Sequence, residues 1–380
     1  MNSPSQTPSS RRLEFGWFMP TGGDHLNFGS PDGLVPPSME MFEQVAHAAE
    51  AAGFEYMLVP VATTCWDAYI SSAMVLARTQ AMRMLVAARP GYMNPVLLAR
   101  MVGAMDRLSG GRVSVNLIAG QSDDEARQDG LTLAKEDRYA HMEEDVRIMK
   151  ALWSSNQPVH FEGRFHTLQG ARAMPRPRQP VRFYLGGGSP EAWEVSARHA
   201  DVHLFWGDTV PTIASNIATL KSMAARHGRE HELGFGMRLQ IICRATEAEA
   251  WDAAQSLMSG VTQEQTDFIR KHYASSAANQ RVQELARTHG ELIAPHLWTG
   301  ITRVRPGAGI VVVGDPQQCA DTLQQFIDVG CHSFCLSGYL HHEEAARFAK
   351  WVRPLLLERN PGRMAPLPQG PTVEHPVSHG

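Results

Sequence analysis

A glycine-rich turn at residues 183–190, with the sequence FYLGGGSP, offers the clearest chemistry in this chain. Apolar residues lead into three glycines, Ser189 and Pro190, an order that predicts a strand, a tight turn and a helix start. Backbone N–H groups at a helix start can bind an anion, because the helix dipole favours negative charge there. We therefore interpret Gly187, Gly188 and Ser189 as an anion-binding turn.

Arg238 is a second candidate for anion binding. It lies within the apolar stretch GFGMRLQII, where a guanidinium group without a partner would be costly to bury. Arg238 should therefore contact either an acidic side chain or an anionic ligand, and we favour the ligand.

The cysteines indicate neither a disulfide framework nor a metal site. There are five of them in 380 residues, an odd number that is typical of reduced thiols. A tempting cluster of possible metal ligands consists of Cys331, His332, Cys335, His341 and His342. The stretch CHSFCLSG alternates like a buried strand, so we interpret its cysteines as core residues. We also find no Ser–His–Asp arrangement, which favours chemistry by a bound cofactor.

Eight apolar stretches, separated mostly by amphipathic helical segments, predict the elements that position these residues. This alternation predicts a (β/α)8 TIM barrel. A doubly wound sheet is the alternative, but no G-x-G-x-x-G motif follows the first strand. The predicted strands are 13–20, 54–60, 82–88, 112–120, 181–187, 200–207, 235–243 and 332–338.

Three segments fall outside this pattern. Residues 260–309 form a long polar insertion after the seventh strand, which we interpret as a mobile lid at the catalytic end of the barrel. We expect one domain over residues 13–360, preceded by a flexible N-terminus at 1–12. Residues 361–380 are interpreted as a C-terminal tail or an arm that contacts a partner subunit.

Charge and hydropathy exclude two classes of partner. The formal net charge is -4 and no block of Lys and Arg appears, which argues against nucleic-acid binding. There is no apolar run of 18 residues, and the first twelve residues lack the hydrophobic core of a signal peptide. We therefore expect a cytoplasmic protein without a membrane partner.

The chain resembles the bacterial luciferase-like superfamily, and within it the reduced-flavin-dependent alkanesulfonate monooxygenases. The similarity runs from about residue 13 to about 357, in order and with matching spacing. The motifs that carry it are WFMPTGGD, TTCWDAY, DRLSGGR at 106–112, EDRY at 136–139, FYLGGGS, WGD at 206–208, GMRL at 236–239, RVRPGAG at 303–309 and LSGYLHHEE at 336–344.

The resemblance implies an activity, a cofactor and partners. Family members bind reduced FMN (FMNH2) without a covalent link and use O2 to cleave the C–S bond of an organosulfonate, giving an aldehyde and sulfite. A separate NAD(P)H-dependent flavin reductase is the implied partner, since this chain shows no nicotinamide-binding fingerprint. The family also suggests a homodimer or a homotetramer.

The resemblance also implies roles for residues that would hold the flavin. The GGGS turn, with Gly187, Gly188 and Ser189, would bind the FMN phosphate. Tyr139 would contact the same phosphate through its hydroxyl group. Asn116 and Gly120 lie where the family lines the flavin.

Other positions would serve the substrate and the oxygen chemistry. Arg238 would bind the sulfonate, and Arg305 on the lid would close over the bound molecules, with Arg303 as its alternative. Trp206 and Tyr339 would line the substrate pocket and hydrogen-bond the oxygen adduct of the flavin. Cys65 would lie close to that adduct.

Two departures from the family pattern concern the substrate. Gly22 and Gln240 stand where sulfonate-cleaving relatives typically carry histidines, and glutamine cannot shuttle a proton as imidazole does. His25 could replace the missing histidine. A bulkier or more polar organosulfonate, such as a sulfo-sugar, is therefore an alternative to an alkanesulfonate. Other readings are a flavin monooxygenase of a different substrate such as a sulfone, a deazaflavin-dependent oxidoreductase, or a non-catalytic flavin-binding protein.

Overall fold

The computed structural model describes residues 11–120, 123–273, 276–305, 307 and 309–365. Most of the predicted N-terminal segment 1–12 and most of the predicted tail 361–380 lie outside the described residues. Within the described residues, no helix has the length and apolar character needed to cross a membrane.

The described residues form short strands and helices that alternate along most of the chain. The strands are β1 (Glu14–Phe18), β2 (Asp24–His25), β3 (Leu34–Val35), β4 (Tyr56–Val59), β5 (Arg83–Ala88), β6 (Val113–Leu117), β7 (Val159–Glu162), β8 (Thr167–Ala171), β9 (Phe183–Gly186), β10 (Val202–Trp206), β11 (Gly234–Arg238), β12 (Gln240–Cys243), β13 (Leu292–Ala294), β14 (Leu297–Trp298), β15 (Val311–Gly314) and β16 (Ser333–Leu336). The α-helices are α1 (Met39–Ala51), α2 (Ala68–Leu76), α3 (Pro95–Ser109), α4 (Asp123–Gln128), α5 (Lys135–Ser154), α6 (Pro190–His199), α7 (Val210–Ala225), α8 (Glu247–Met258), α9 (Gln263–His272), α10 (Ala277–His289), α11 (Pro316–Asp328), α12 (His341–Arg347) and α13 (Arg353–Arg359).

Eight parallel strands close into a barrel in the order β1-β16-β11-β10-β9-β6-β5-β4. Each of these strands overlaps one of the eight strands predicted from the sequence, so the (β/α)8 prediction is confirmed. The carboxyl ends of all eight strands therefore meet at one end of the barrel, where TIM-barrel enzymes carry their active sites.

The prediction of one continuous strand at 235–243 was wrong in one respect. Strand β11 ends at Arg238, and the chain then continues as β12, which pairs with β15 in a separate four-stranded sheet. The change of partner begins at Gln240, whose N–H donates to the Ile310 carbonyl at 2.9 Å. Only the first half of the apolar stretch therefore belongs to the barrel.

The predicted insertion at 260–309 contains regular structure in its described residues. Helices α9 and α10 and strands β13 and β14 lie within it, and β14 pairs antiparallel with β15. The sheet thus connects this segment to β12 and so to the end of barrel strand β11. Its action as a lid remains a prediction.

The barrel interior is filled near the amino ends of the strands. Tyr56 and Tyr184 are fully buried there, and a Cβ at Gly16 would lie 2.1 Å from the Tyr56 ring, so only glycine fits. Glu14 accepts hydrogen bonds from Tyr184 at 2.5 Å and from Arg182 at 2.8 Å. This packing closes one end of the barrel, so the open space lies at the carboxyl ends of the strands.

Candidate active site

A cavity of about 440 Å³ lies at the carboxyl ends of the barrel strands. Its volume falls in the range of sites that hold a cofactor or a small ligand. Of the twelve site residues singled out from the sequence, eleven line it. They are Cys65, Asn116, Gly120, Tyr139, Gly187, Gly188, Ser189, Trp206, Arg238, Arg305 and Tyr339.

Gln240, the twelfth, does not line the cavity. It is the first residue of β12 and is buried within the second sheet, beyond the point where the chain leaves the barrel. The structure therefore does not bring Gln240 together with the other candidates. Its spacing from Arg238 misled because the two residues belong to different sheets.

The glycine turn has the geometry expected of an anion site. Ser189 is the N-cap of α6, and its Oγ accepts a hydrogen bond from the Ala192 N–H at 3.3 Å. Gly187 has a φ of +144°, and a Cβ there would lie 2.9 Å from the Ala192 side chain, so the turn requires glycine. A Cβ at Gly188 would meet no atom within 4 Å, which leaves room for a ligand. Tyr139 hydrogen-bonds to Ser189 beside the same turn, and burial raises the pKa of this tyrosine.

Asn116 presents an unused acceptor to the cavity. It lies near the end of β6, is buried, and its Oδ1 has no hydrogen-bond partner among the described residues. A buried acceptor without a donor is unfavourable by about 1–3 kcal/mol. A bound ring system with an N–H group, such as the flavin isoalloxazine, would remove this cost, so the residues present fit FMN.

Arg238 ends β11 and is buried, with 6% of its surface exposed. Its Nη1 donates to the Leu239 carbonyl at 2.8 Å, to Ser337 Oγ at 3.0 Å and to the Cys335 carbonyl at 3.4 Å. Among the described residues, no carboxylate lies within 4.0 Å of its guanidinium. Burial lowers the pKa of Arg238, because the charged form is poorly solvated.

Arg305 and Arg238 both lie against the ring of Phe18. The Cζ atoms of Arg238 and Arg305 lie 4.6 Å and 5.2 Å from the centre of the Phe18 ring. Arg305 also donates from Nε to Tyr339 Oη, and burial raises the pKa of this tyrosine, which keeps the phenol neutral. The charge of Arg305 contributes to lowering the pKa of Arg238, so the two cations repel. An anion bound between them would relieve this repulsion.

Sequence reasoning missed a buried Asp–His pair at the same cavity. Asp24 Oδ2 accepts from the His341 backbone N–H at 2.7 Å, and its Oδ1 lies 2.8 Å from His341 Nδ1. Burial alone would raise the pKa of Asp24, but the neighbouring His341 lowers it overall. With its proton on Nδ1, His341 retains a lone pair on Nε2, which has no partner among the described residues. His341 lines the cavity, so this dyad is a candidate proton acceptor.

His25 and Cys65 also line the cavity, and both are uncharged at neutral pH. Burial lowers the pKa of His25 to about 4, and its ring stacks on Phe28 at 4.4 Å. Burial raises the pKa of Cys65, so its thiol stays protonated. Neither side chain therefore adds charge beside the two arginines.

A charged wall of the same cavity was not predicted. Arg89 Nη2 lies 2.9 Å from Glu125 Oε2, and both side chains are largely buried. Glu125 Oε1 also accepts from the Thr63 N–H at 2.8 Å, and Arg138 pairs with Asp123 nearby. The first turn of α4 therefore supplies two acids to the cavity, and each is paired with an arginine.

Comparison with known proteins agrees with this geometry. The model of the family described as luciferase-like monooxygenase matches residues 13–333. The EDTA monooxygenase of Chelativorans sp. BNC1 has a similar structure, with a TM-score of 0.72 and 16% identity over 92% of this chain and 94% of that chain. A riboflavin lyase solved with modified FMN and riboflavin has a TM-score of 0.77 and 18% identity over 95% and 94% of the two chains.

A third similar structure uses a different cofactor. It is an F420-dependent secondary alcohol dehydrogenase with an F420–acetone adduct, and its TM-score is 0.65 at 17% identity over 91% of this chain and 99% of that chain. At such identities the likeness to each structure shows the fold. The family match covers most of the sequence, and the chain therefore belongs to the luciferase-like monooxygenase family.

Proposed function

We propose that this protein is a two-component monooxygenase that uses FMNH2 and O2 to cleave the C–S bond of an organosulfonate, giving an aldehyde and sulfite. The observation that carries the proposal is the buried guanidinium of Arg238, which has no carboxylate partner among the described residues and lines the cavity. A sulfonate carries a fixed negative charge and three acceptor oxygens, so it suits Arg238 and Arg305 together.

FMN is the cofactor that the remaining cavity residues would hold. The N–H groups of the turn at Gly187, Gly188 and Ser189 would bind its phosphate beside Tyr139. The Oδ1 atom of Asn116 would accept a hydrogen bond from the ring. Bound FMNH2 would supply the two electrons that reduce one oxygen atom of O2 to water.

The protein side chains would position the substrate and move one proton. Oxidation of a CH2–SO3⁻ group to an aldehyde and sulfite removes one hydrogen from the carbon, while one oxygen atom of O2 enters the aldehyde. His341 Nε2 is the acceptor for this proton, and Asp24 holds its tautomer and stabilises the imidazolium. Tyr339 accepts from Arg305, so its own O–H remains available to donate to the bound substrate.

The polar wall favours a hydroxylated sulfonate. The Arg89–Glu125 pair lines the cavity and presents charged groups that a simple alkyl chain would not use. Gly22 lines the cavity, and a Cβ there would crowd the Thr64 carbonyl oxygen at 3.1 Å, so glycine keeps a side chain out of the site. We therefore propose that the substrate is either an alkanesulfonate or a sulfo-sugar.

Sulfite release in air tests this proposal. The assay supplies FMN, NADH and an unrelated flavin reductase, and its panel contains alkane, aryl and sugar sulfonates, a dialkyl sulfone and an aminopolycarboxylate. The sulfone lacks the net charge that the arginines would bind, whereas the aminopolycarboxylate is an anion without sulfur. Sulfite from a sulfonate would support the proposal. If only the sulfone or only the aminopolycarboxylate were turned over with O2, the organosulfonate proposal would be wrong and that compound class would be the substrate.

A deazaflavin-dependent oxidoreductase is the second candidate function, since a structural neighbour is F420-dependent. Binding of FMNH2 and of reduced F420 to the purified protein separates the two. Reduction of bound F420 by an alcohol or a sugar phosphate without oxygen would favour this alternative.

We further propose a cytoplasmic homodimer or homotetramer that receives FMNH2 from a separate NAD(P)H-dependent flavin reductase. The reductase is expected because the enzyme would need a supply of FMNH2 and the sequence carries no nicotinamide-binding fingerprint.

A further inference from the structure

We propose that His141, Asp145 and His166 bind a divalent transition-metal ion such as Zn²⁺, which fastens the β7–β8 hairpin to helix α5. Among the described residues, these three form the group whose possible ligand atoms all lie within 4.8 Å of one another. The group lies outside the flavin cavity, so this proposal stands independently of the proposed activity.

Two elements bring the ligands together. His141 and Asp145 are four residues apart on α5 and therefore share one face of the helix. His166 ends the turn that joins β7 to β8. Glu144 fixes this turn, because its carboxylate accepts hydrogen bonds from the N–H groups of residues 164–166 at 2.6–3.1 Å. The position of His166 is thus set by the helix that carries the other two ligands.

Hydrogen bonds alone do not satisfy this arrangement. His166 Nε2 lies 2.7 Å from Asp145 Oδ1 and 2.8 Å from His141 Nε2, but a ring nitrogen carries at most one proton. If that proton points to Asp145, the lone pair of His141 lacks a good donor. If His141 donates instead, the unprotonated His166 nitrogen faces a carboxylate oxygen. A cation accepts all three lone pairs at once, which resolves the conflict.

The distances place one point within bonding range of all three ligand atoms. The third side of the triangle, from His141 Nε2 to Asp145 Oδ1, is 3.6 Å. A point about 1.8 Å from all three atoms lies in their plane, and a displacement of about 1 Å from the plane gives about 2.05 Å to each atom. Zn–N and Zn–O bonds have this length. The fourth position then points away from the three ligands and is available to water.

The ligand types select the metal class. Two imidazoles and one carboxylate suit Zn²⁺ and neighbouring transition metals, whereas Ca²⁺ and Mg²⁺ prefer oxygen ligands. All three side chains are largely buried, and Phe165 stacks on His141 at 4.7 Å. The ion would therefore lie in a shielded site between helix and hairpin. Because α5 also carries Tyr139, the ion would stabilise the helix that borders the proposed phosphate site.

Metal binding to the full chain tests the proposal. The protein, freed of any affinity tag and treated with a chelator, is titrated with Zn²⁺ against a chromophoric chelator and, separately, with Co²⁺ as a spectroscopic probe. We expect about one Zn²⁺ per chain, a rise of a few degrees in unfolding temperature, and the intense visible bands of tetrahedral Co²⁺. His166→Ala and Asp145→Asn should weaken binding at least tenfold, since even outer-sphere changes cost about 10–100-fold.

His160→Ala is the matched control, because His160 is an exposed histidine on β7 of the same hairpin. It should bind Zn²⁺ as the parent does. Asp145→Asn preserves the side-chain shape, so it decides the question if His166→Ala does not fold. Absence of Zn²⁺ binding by the parent, equal binding by Asp145→Asn and the parent, or the weak bands of octahedral Co²⁺ would each overturn the site.

Discussion

Replacement of Arg238 gives the sharpest test of the proposed anion site. All three hydrogen bonds of its guanidinium to the protein come from Nη1, so Nη2 and Nε have no protein acceptor among the described residues. A charged hydrogen bond is worth about 1.5–3 kcal/mol, which corresponds to about 10–100-fold in kcat/KM. Arg238→Ala should lower kcat/KM for the sulfonate by this factor.

The way in which the loss divides between KM and kcat carries further information. If Arg238 holds the sulfonate equally in the ground state and the transition state, KM rises and kcat is unchanged. Arg238→Lys keeps the charge but loses the planar group above Phe18, so we expect about a tenfold loss, at the low end of the charged-bond range. The assay is steady-state sulfite release with excess flavin reductase.

Two controls separate this role from a structural one. Arg353 is also buried, but its Nη2 donates to the Ala365 carbonyl at 2.6 Å and it does not line the cavity. Arg353→Ala should therefore change thermal stability and leave KM unchanged. Gln240→Met should likewise leave kcat/KM within about twofold, since Gln240 lies in the second sheet. An Arg238→Ala enzyme with the KM and kcat of the parent would refute the anion-site reasoning.

Three further results are expected. Arg305→Ala should release more hydrogen peroxide per NADH consumed, because the lid segment would close less well without its contact to Tyr339. Arg303→Ala, at an exposed neighbouring position, should release as little peroxide as the parent. Equal peroxide release by the two variants would exclude a lid role for Arg305. Asp24→Asn should lower kcat by about 10–100-fold and shift its pH profile, because His341 would lose the carboxylate that fixes its tautomer; an unchanged profile would exclude the dyad. Burial raises the pKa of Glu14, but two neighbouring arginines lower it more, to about 2. The ionised Glu14 therefore stabilises the fold above about pH 4.5, and this contribution to the free energy of unfolding is lost as the pH falls towards 2. Glu14→Gln should remove up to about 3 kcal/mol of unfolding free energy at pH 7 and flatten this acid-sensitive window, as urea unfolding at several pH values would measure.

The barrel could be predicted because its signal is local and repeated. Each barrel strand is a short apolar run, and most are followed by an amphipathic helix, so the count of eight follows from the pattern. The boundary at Leu239 could not be predicted in this way. Apolar residues continue through β12, and only the hydrogen bond from Gln240 to Ile310 and the pairing of Gln240 with Val311 show that the chain has changed sheets.

Most of the candidate site could be predicted because active sites of TIM barrels lie at the carboxyl ends of the strands. Residues at the carboxyl ends of strands must approach one another, which explains nine of the eleven candidates that line the cavity. Tyr139 on α5 and Arg305 in the insertion came from the family resemblance. Asp24 and His341 obey the same rule, since they follow the neighbouring strands β1 and β16. Both lie in motifs that the sequence analysis quoted, WFMPTGGD and LSGYLHHEE, but 317 residues separate them and nothing in either motif indicates that the two side chains meet.

The metal ligands illustrate a different limit of sequence reasoning. His141 and Asp145 have helical spacing, but such pairs are common on helix surfaces and carry little information. The third ligand comes from a hairpin that is not part of the repeating β/α pattern, and its approach depends on Glu144. What distinguishes the group is that three lone pairs converge with too few protons between them. That property belongs to the folded geometry, so a search for converging lone pairs can find sites that residue spacing does not indicate.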